Sequence, residues 1–213
     1  MDLVTRAKNI ILQPKDEWPV IAAEPATVAD LYKGYILPLA AIQPIVSFVK
    51  LSLIGISMPM MGTYREPLGS SIGHALVTYA LALAAVYVLA LVIEFLAPRF
   101  GGMPDRMQAL KLAAYSYTPA WIGSVLILVP WIGYLLAFLA SIYGLYLLYI
   151  GLPVLMRSAP EKNLLYFAAV LVVTIVISIV IGLITAAIGG SMMNGGGMRG
   201  AAAVPGFLFG AVV

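Results

Sequence analysis

Three charged side chains interrupt runs that are otherwise apolar: Lys50, Glu94 and Lys111. An ionised group in hydrocarbon costs roughly 2.5–3.5 kcal/mol on the insertion scale, so it must be paired, be hydrated or reach water. At ~1.5 Å of rise per residue, Glu94 lies about 5 Å and Lys111 about 6 Å in from the same end of their helices. Equal depth predicts that the two approach each other, directly or through water. Lys50 lies about 22 Å from that end, at a level no carboxylate shares. It is expected to snorkel outward, with backbone carbonyls or a wet cavity as the alternatives.

The stretch LKLAAYSYTPAW, Leu110 to Trp121, brings further polar groups into the same region. Lys111, Tyr115 and Thr118 recur at i, i+4 and i+7 and so share one helical face. Pro119 weakens the helix and frees the carbonyl near Tyr115 for another donor. Tyr143, Tyr146 and Tyr149 repeat every third residue on a later helix. Together with Glu94 these residues would line a polar, aromatic pocket opening toward one leaflet, suited to a lipid headgroup or a small solute. The competing reading makes the tyrosines an interfacial belt and the Glu–Lys pair a helix-to-helix tie.

These residues need membrane-spanning elements to hold them. The 213-residue chain is 62% hydrophobic and 10% charged. A soluble domain cannot stay dispersed with so little charge. Several apolar runs also reach the ~20 residues of helix that cross a bilayer. Spans are expected at Tyr35 to Met58, Ile72 to Ala97, Met107 to Val129, Trp131 to Met156 and Leu164 to Ile188. The third and fourth meet at Pro130 in a tight helical hairpin. The expected architecture is all-α and polytopic: an arm over 1–34, five helices over 35–189 and a flexible Gly/Met-rich tail over 190–213.

Lysine and arginine set the orientation. Arg6, Lys8, Lys15, Lys33, Arg99, Arg106, Lys111, Arg157 and Lys162 fall on one side, and only Arg65 and Arg199 on the other. The N-terminus is therefore expected in the cytoplasm and the C-terminus outside. The first residues lack the apolar core of a signal peptide, so the N-terminus is expected to be retained. Leu3, Val4, Ala7, Ile10 and Ile11 recur at helical spacing up to Pro14. They predict a short amphipathic helix, lying either on the inner leaflet or on the protein's own cytoplasmic face.

Four segments carry a family resemblance: EWPVIAAEP, DLYKGYILPLAAI, AYSYTPAW and YIGLPVLM. Together they resemble the Yip domain family, five-span membrane proteins whose eukaryotic members interact with Rab-type GTPases in early secretory traffic. Asp30, Leu31, Tyr32, Lys33 and Gly34 loosely match the family's Asp-Leu-x-Gly-Pro motif, with Tyr35 in the proline position. Tyr115, Ser116 and Pro119 match its Tyr-Ser-x-x-Pro pattern. The long acidic N-terminus of the eukaryotic members is missing, which counts against GTPase binding. The resemblance is closer to the prokaryotic branch and implies a cell-membrane location.

Small residues at Gly182, Ala186 and Gly190 allow close approach of a neighbouring helix or of a second protomer. Met58, Met60 and Met61 near His74, with Met192, Met193 and Met198 on the same side, offer soft ligands that would suit Cu(I). Methionines filling irregular packing are the plainer reading. With no cysteine and no nucleophile–base or phosphate-loop pattern, no enzyme, cofactor or nucleic-acid partner is expected. Membrane lipids and partner membrane proteins are the expected partners, with a transporter for a small solute, ion or lipid as the alternative function.

Overall fold

A computed structural model describes residues 2–58 and 62–194 of the chain. Two short helices, α1 (Leu3–Leu12) and α2 (Pro14–Ala23), form an N-terminal arm. Pro14 ends one helix and opens the next, because proline lacks the N–H a helix interior needs but is suited to the first turn.

A long helix α3 follows over Val28–Ile54. It opens with a capping box in which Thr27 accepts from the Asp30 backbone N–H and the Asp30 side chain returns to Thr27. Wide π-turns interrupt it at Tyr32–Ile36 and Val49–Ile54. The first precedes Pro38, whose ring would collide with the carbonyl four residues back in a regular helix. Ile56–Met58 and Gly62–Tyr64 then pair as a short antiparallel hairpin, β1 and β2. The first expected span therefore begins earlier and ends earlier than the hydropathy suggested, since Ile56 to Met58 leave the helix for a strand.

Helix α4 occupies Leu68–Phe100, with its last turn tightened into 3-10 form. The chain then runs through α5 (Arg106–Ser116), α6 (Thr118–Gly123) and a 3-10 turn at Ser124–Leu128. Helix α7 covers Gly133–Leu155 and α8 covers Asn163–Asn194. Among the described residues, four helical segments are long and apolar enough to cross a membrane: α3, α4, α7 and Pro160–Ile184. The expected third crossing is instead a broken helix that does not meet that standard. It forms the expected hairpin with α7 through a turn at Val129 to Ile132, where Trp131 is fully exposed.

Every residue from Ala109 to Ser116 is buried, including Lys111. Helix α5 packs on α4, α7 and the start of α3, so protein surrounds it where the other long helices face outward. Helix α8 continues to Asn194, past the expected start of a flexible tail at 190. The rest of that tail, with Met198 and Arg199, lies outside the described residues.

Candidate functional site

Lys111 sits just over one turn into α5 and does not reach Glu94. Its Nζ donates to two backbone carbonyls of the arm, Ile21 at 2.8 Å and Glu24 at 2.5 Å. Glu94 pairs instead with Arg106, whose Nε lies 2.8 Å from Glu94 Oε2. The depths of Glu94 and Lys111 were well matched, but the azimuth decides the partner. Five residues separate Arg106 from Lys111, so the two project about 140° apart around one helix. Only Arg106 can face α4. Its hydrogen bond to Glu94 also raises the guanidinium pKa further above its usual range.

The arm occupies the cleft foreseen for a ligand. Arg6 projects from α1 into the protein and makes ion pairs with both Glu17 and Glu24. Its side chain is 4% exposed and that of Glu17 is 8% exposed, so this is a buried pair. Asn9 Nδ2 donates to the other Glu17 oxygen at 3.2 Å. A buried ion pair needs its remaining lone pairs satisfied, and Asn9 does this for Glu17. The Arg6 guanidinium also stands 5.9 Å from the Tyr115 ring centroid. Gln108 donates to the Ala22 carbonyl at 2.9 Å, between the Ile21 and Glu24 carbonyls that Lys111 takes.

Trp18 is the arm's apolar anchor and is fully buried. It meets the Tyr115 ring edge-on at 6.4 Å. It fits because position 151 has no side chain: a Cβ on Gly151 would lie 2.8 Å from Trp18 Cε2 and 2.6 Å from Leu112 Cδ1. Gly144 does the same for backbone, since a Cβ there would stand 2.6 Å from the Ser116 carbonyl oxygen. These two glycines let α7 close on α5 and on the arm.

Thr118 and Tyr115 face the same region, as their spacing predicted. The Tyr35 hydroxyl and Thr118 Oγ1 are 2.8 Å apart, and the Tyr35 and Tyr115 rings are 4.6 Å apart at a 59° tilt. Pro119 stands in the first turn of α6, and the helix it was expected to weaken is interrupted two residues earlier, at Tyr117. Tyr143 donates its hydroxyl to the Ile11 carbonyl at the end of α1, at 2.7 Å. Tyr146 and Tyr149 turn outward and are exposed. A threefold step drifts about 60° around a helix at each repeat, so the tyrosine stripe leaves the cleft within two steps. Tyr146 stays beside Tyr143, while Tyr149 packs edge-on against Phe167.

The other expected positions lie elsewhere. Lys50 is half-buried in the last π-turn of α3, four residues before its end at Ile54. Gly182 lies on α8, and the side chains of Ala186 and Gly190 fall outside the described residues, as do Met60 and Met61. Met58 belongs to β1, and His74 is half-buried on α4. Among the described residues no group of three or more His, Cys, Asp or Glu could hold a metal ion.

All four sequence segments that carried the resemblance meet at this cleft. Glu17, Trp18, Ile21 and Glu24 come from the first, Tyr35 from the second, Tyr115 and Thr118 from the third and Gly151 from the fourth. The model of the Yip1 domain matches residues 8–183, which takes in the cleft residues from Glu17 to Gly151 and most of the length of the long helices. The chain belongs to the Yip1 domain family. It is also 26% identical over 171 residues to the inner membrane protein YohC of Escherichia coli strain K12, covering 79% of this chain and 88% of that one. The inner membrane protein YohC of Escherichia coli O6:H1 matches to the same extent. No solved structure matches it. This Yip1-domain chain is thus a membrane protein with several apolar spanning helices, similar to a bacterial inner membrane protein.

Arg6, Glu17, Glu24, Trp18 and Tyr35 were not foreseen as site residues. One signal was available: Arg6 stands three residues after Leu3 and four before Ile10, on the apolar face of α1. A charge centred on an apolar face is expected to have a partner inside the protein. The partners of Lys111 are backbone carbonyls, and no residue type announces those.

Proposed function

We propose that this chain is a non-enzymatic membrane protein that holds partner proteins or lipids at its arm-bearing end, in membrane organisation of a trafficking-like kind. By the lysine and arginine distribution that end is cytoplasmic, the C-terminus is outside and the broken α5–α6 segment completes a fifth crossing. The observation that carries this reading is the filled cleft. Lys111, Thr118 and Tyr143, the groups that would line a polar path, each have a partner within the chain. A solute path would need those groups open to water.

The outer surface of the arm supplies the contact. Val4, Leu12 and Val20 are exposed beside the exposed Lys8 and Lys15. Apolar side chains with lysines among them suit the boundary between anionic headgroups and acyl chains, or a partner that lies there. Reconstituted vesicles provide the test. The wild type is expected to retain lipid or partner without passing solute, and Lys8→Glu with Lys15→Glu to lose retention while staying folded. Solute flux lost on Lys111→Met, with unchanged retention in the lysine variants, would overturn the reading in favour of transport.

A further inference from the structure

A second polar feature lies on the other side of α5 from the arm. Leu91, Val92, Glu94, Phe95 and Pro98 of α4, with Pro104 and Arg106, line an open groove of about 720 Å³. Five of the seven lining residues are apolar. From Leu91 to Pro98 the groove follows the last two turns of α4, about 10 Å of helix axis. Arg106 lines its charged end, and Arg99 flanks the groove through Phe95. Arg106 is paired to Glu94 yet its side chain is 55% exposed, so its outer N–H groups are open to the groove's mouth. The Tyr87 phenol also interacts with it. Arg99 lies 4.9 Å over the Phe95 ring, and Phe95 is itself exposed. Among the lining residues Glu94 offsets Arg106, so the further positive charge comes from Arg99 at the groove's flank.

We infer that this groove binds one anionic phospholipid, with its phosphate on Arg106 and Arg99 and an acyl chain along Leu91, Val92 and Phe95. Guanidinium groups suit phosphate because their N–H groups match two oxygens at once. The apolar trough distinguishes a lipid from a free anion, which would gain nothing from five apolar walls. Arg99 lies in the last turn of a helix that is long and apolar enough to span, and Arg106 joins it through Glu94 of the same helix, where a headgroup phosphate would meet the hydrocarbon edge. Glu94 orients Arg106 and keeps the site from attracting bulk anions. The site is separate from the arm surface, so either can fail without the other.

Native mass spectrometry of the purified full chain, titrated with phosphatidylglycerol or phosphatidylcholine in micelles, tests this directly. The wild type is expected to retain phosphatidylglycerol over phosphatidylcholine. Arg99→Gln should lower that retention about fivefold, and Arg99→Gln with Arg106→Gln further, from roughly 1 kcal/mol per arginine at an anionic surface. Glu94→Gln should keep or strengthen it. Arg99 is exposed, so its single variant tests the proposal even where the double variant fails to fold. Equal retention of the two lipids by the wild type, or no loss in Arg99→Gln, would overturn the site. Displacement of the lipid by millimolar inorganic phosphate would overturn the acyl part of it.

Discussion

Arg6 is the residue on which the arm's structure turns. It is buried against the Glu17 carboxylate of the next helix and that of Glu24 just past its end, in a helix too short to be stable alone. Its removal strands the Glu17 carboxylate in a buried setting. Breaking one side of such a pair costs about 3 kcal/mol, whereas replacing both partners with apolar side chains is often neutral. Arg6→Met is therefore expected to lower thermal stability in detergent sharply. Arg6→Met combined with Glu17→Leu should recover most of the loss. A double variant no better than the single one would mean that Arg6 acts through contacts other than Glu17. Much of this was readable before the fold: the position of Arg6 on the apolar face of α1 already required a partner. Which acid it takes depends on how α2 folds back, and spacing along the chain cannot supply that.

Among the helices, proline decides where backbone groups need help. Pro153 lies inside α7 and leaves the carbonyl of Tyr149, four residues earlier, without its helical donor. Asn163 at the start of α8 takes that role, with Nδ2 at 3.3 Å from the Tyr149 oxygen. Asn163→Ala should cost about 1 kcal/mol of stability. With Pro153→Ala the helix supplies its own N–H, and the same asparagine change should cost less, leaving only the bond that Asn163 Oδ1 accepts from the Ser158 hydroxyl at 3.3 Å. Equal losses in both backgrounds, measured by thermal unfolding in detergent, would show the two residues to be uncoupled. Tyrosines do similar work between helices: Tyr32 donates to the Leu83 carbonyl, Tyr79 to Leu37 and Tyr166 to Ile93. In a setting without water such donors tie helices together. The long helices α3, α4, α7 and α8 were legible because hydropathy reports lipid contact. Helix α5 was placed by its flanks and by Pro130, and its composition now has a reason. Protein surrounds it from Ala109 to Ser116, so it carries Lys111 and Ser116 where a lipid-facing helix would carry apolar side chains.

Taken whole, the molecule is a helical bundle whose own N-terminus closes the polar cleft in its charged half. The residues first expected to form a ligand pocket divide into three sets. Lys111, Tyr115 and Tyr143 hold the arm, with Thr118 beside them on Tyr35 of α3; Glu94 joins Arg106 on the far side of α5; Tyr146 and Tyr149 face outward. Depth along a helix was legible in the sequence, and direction around it was not, because direction depends on which neighbour each face meets. Docking of the arm between α5 and α7 is the claim most open to a direct check, since the chain has no cysteine and engineered pairs report without background. Ala22→Cys with Gln108→Cys joins the two sides of the 2.9 Å contact between the Gln108 side chain and the Ala22 carbonyl. In intact membranes a short bis-maleimide should link this pair, while Ala22→Cys with Arg65→Cys, in the exposed loop between α3 and α4, should remain unlinked. Linking of neither pair, with each single cysteine still reactive, would contradict the docked arm and return the helix to the membrane surface.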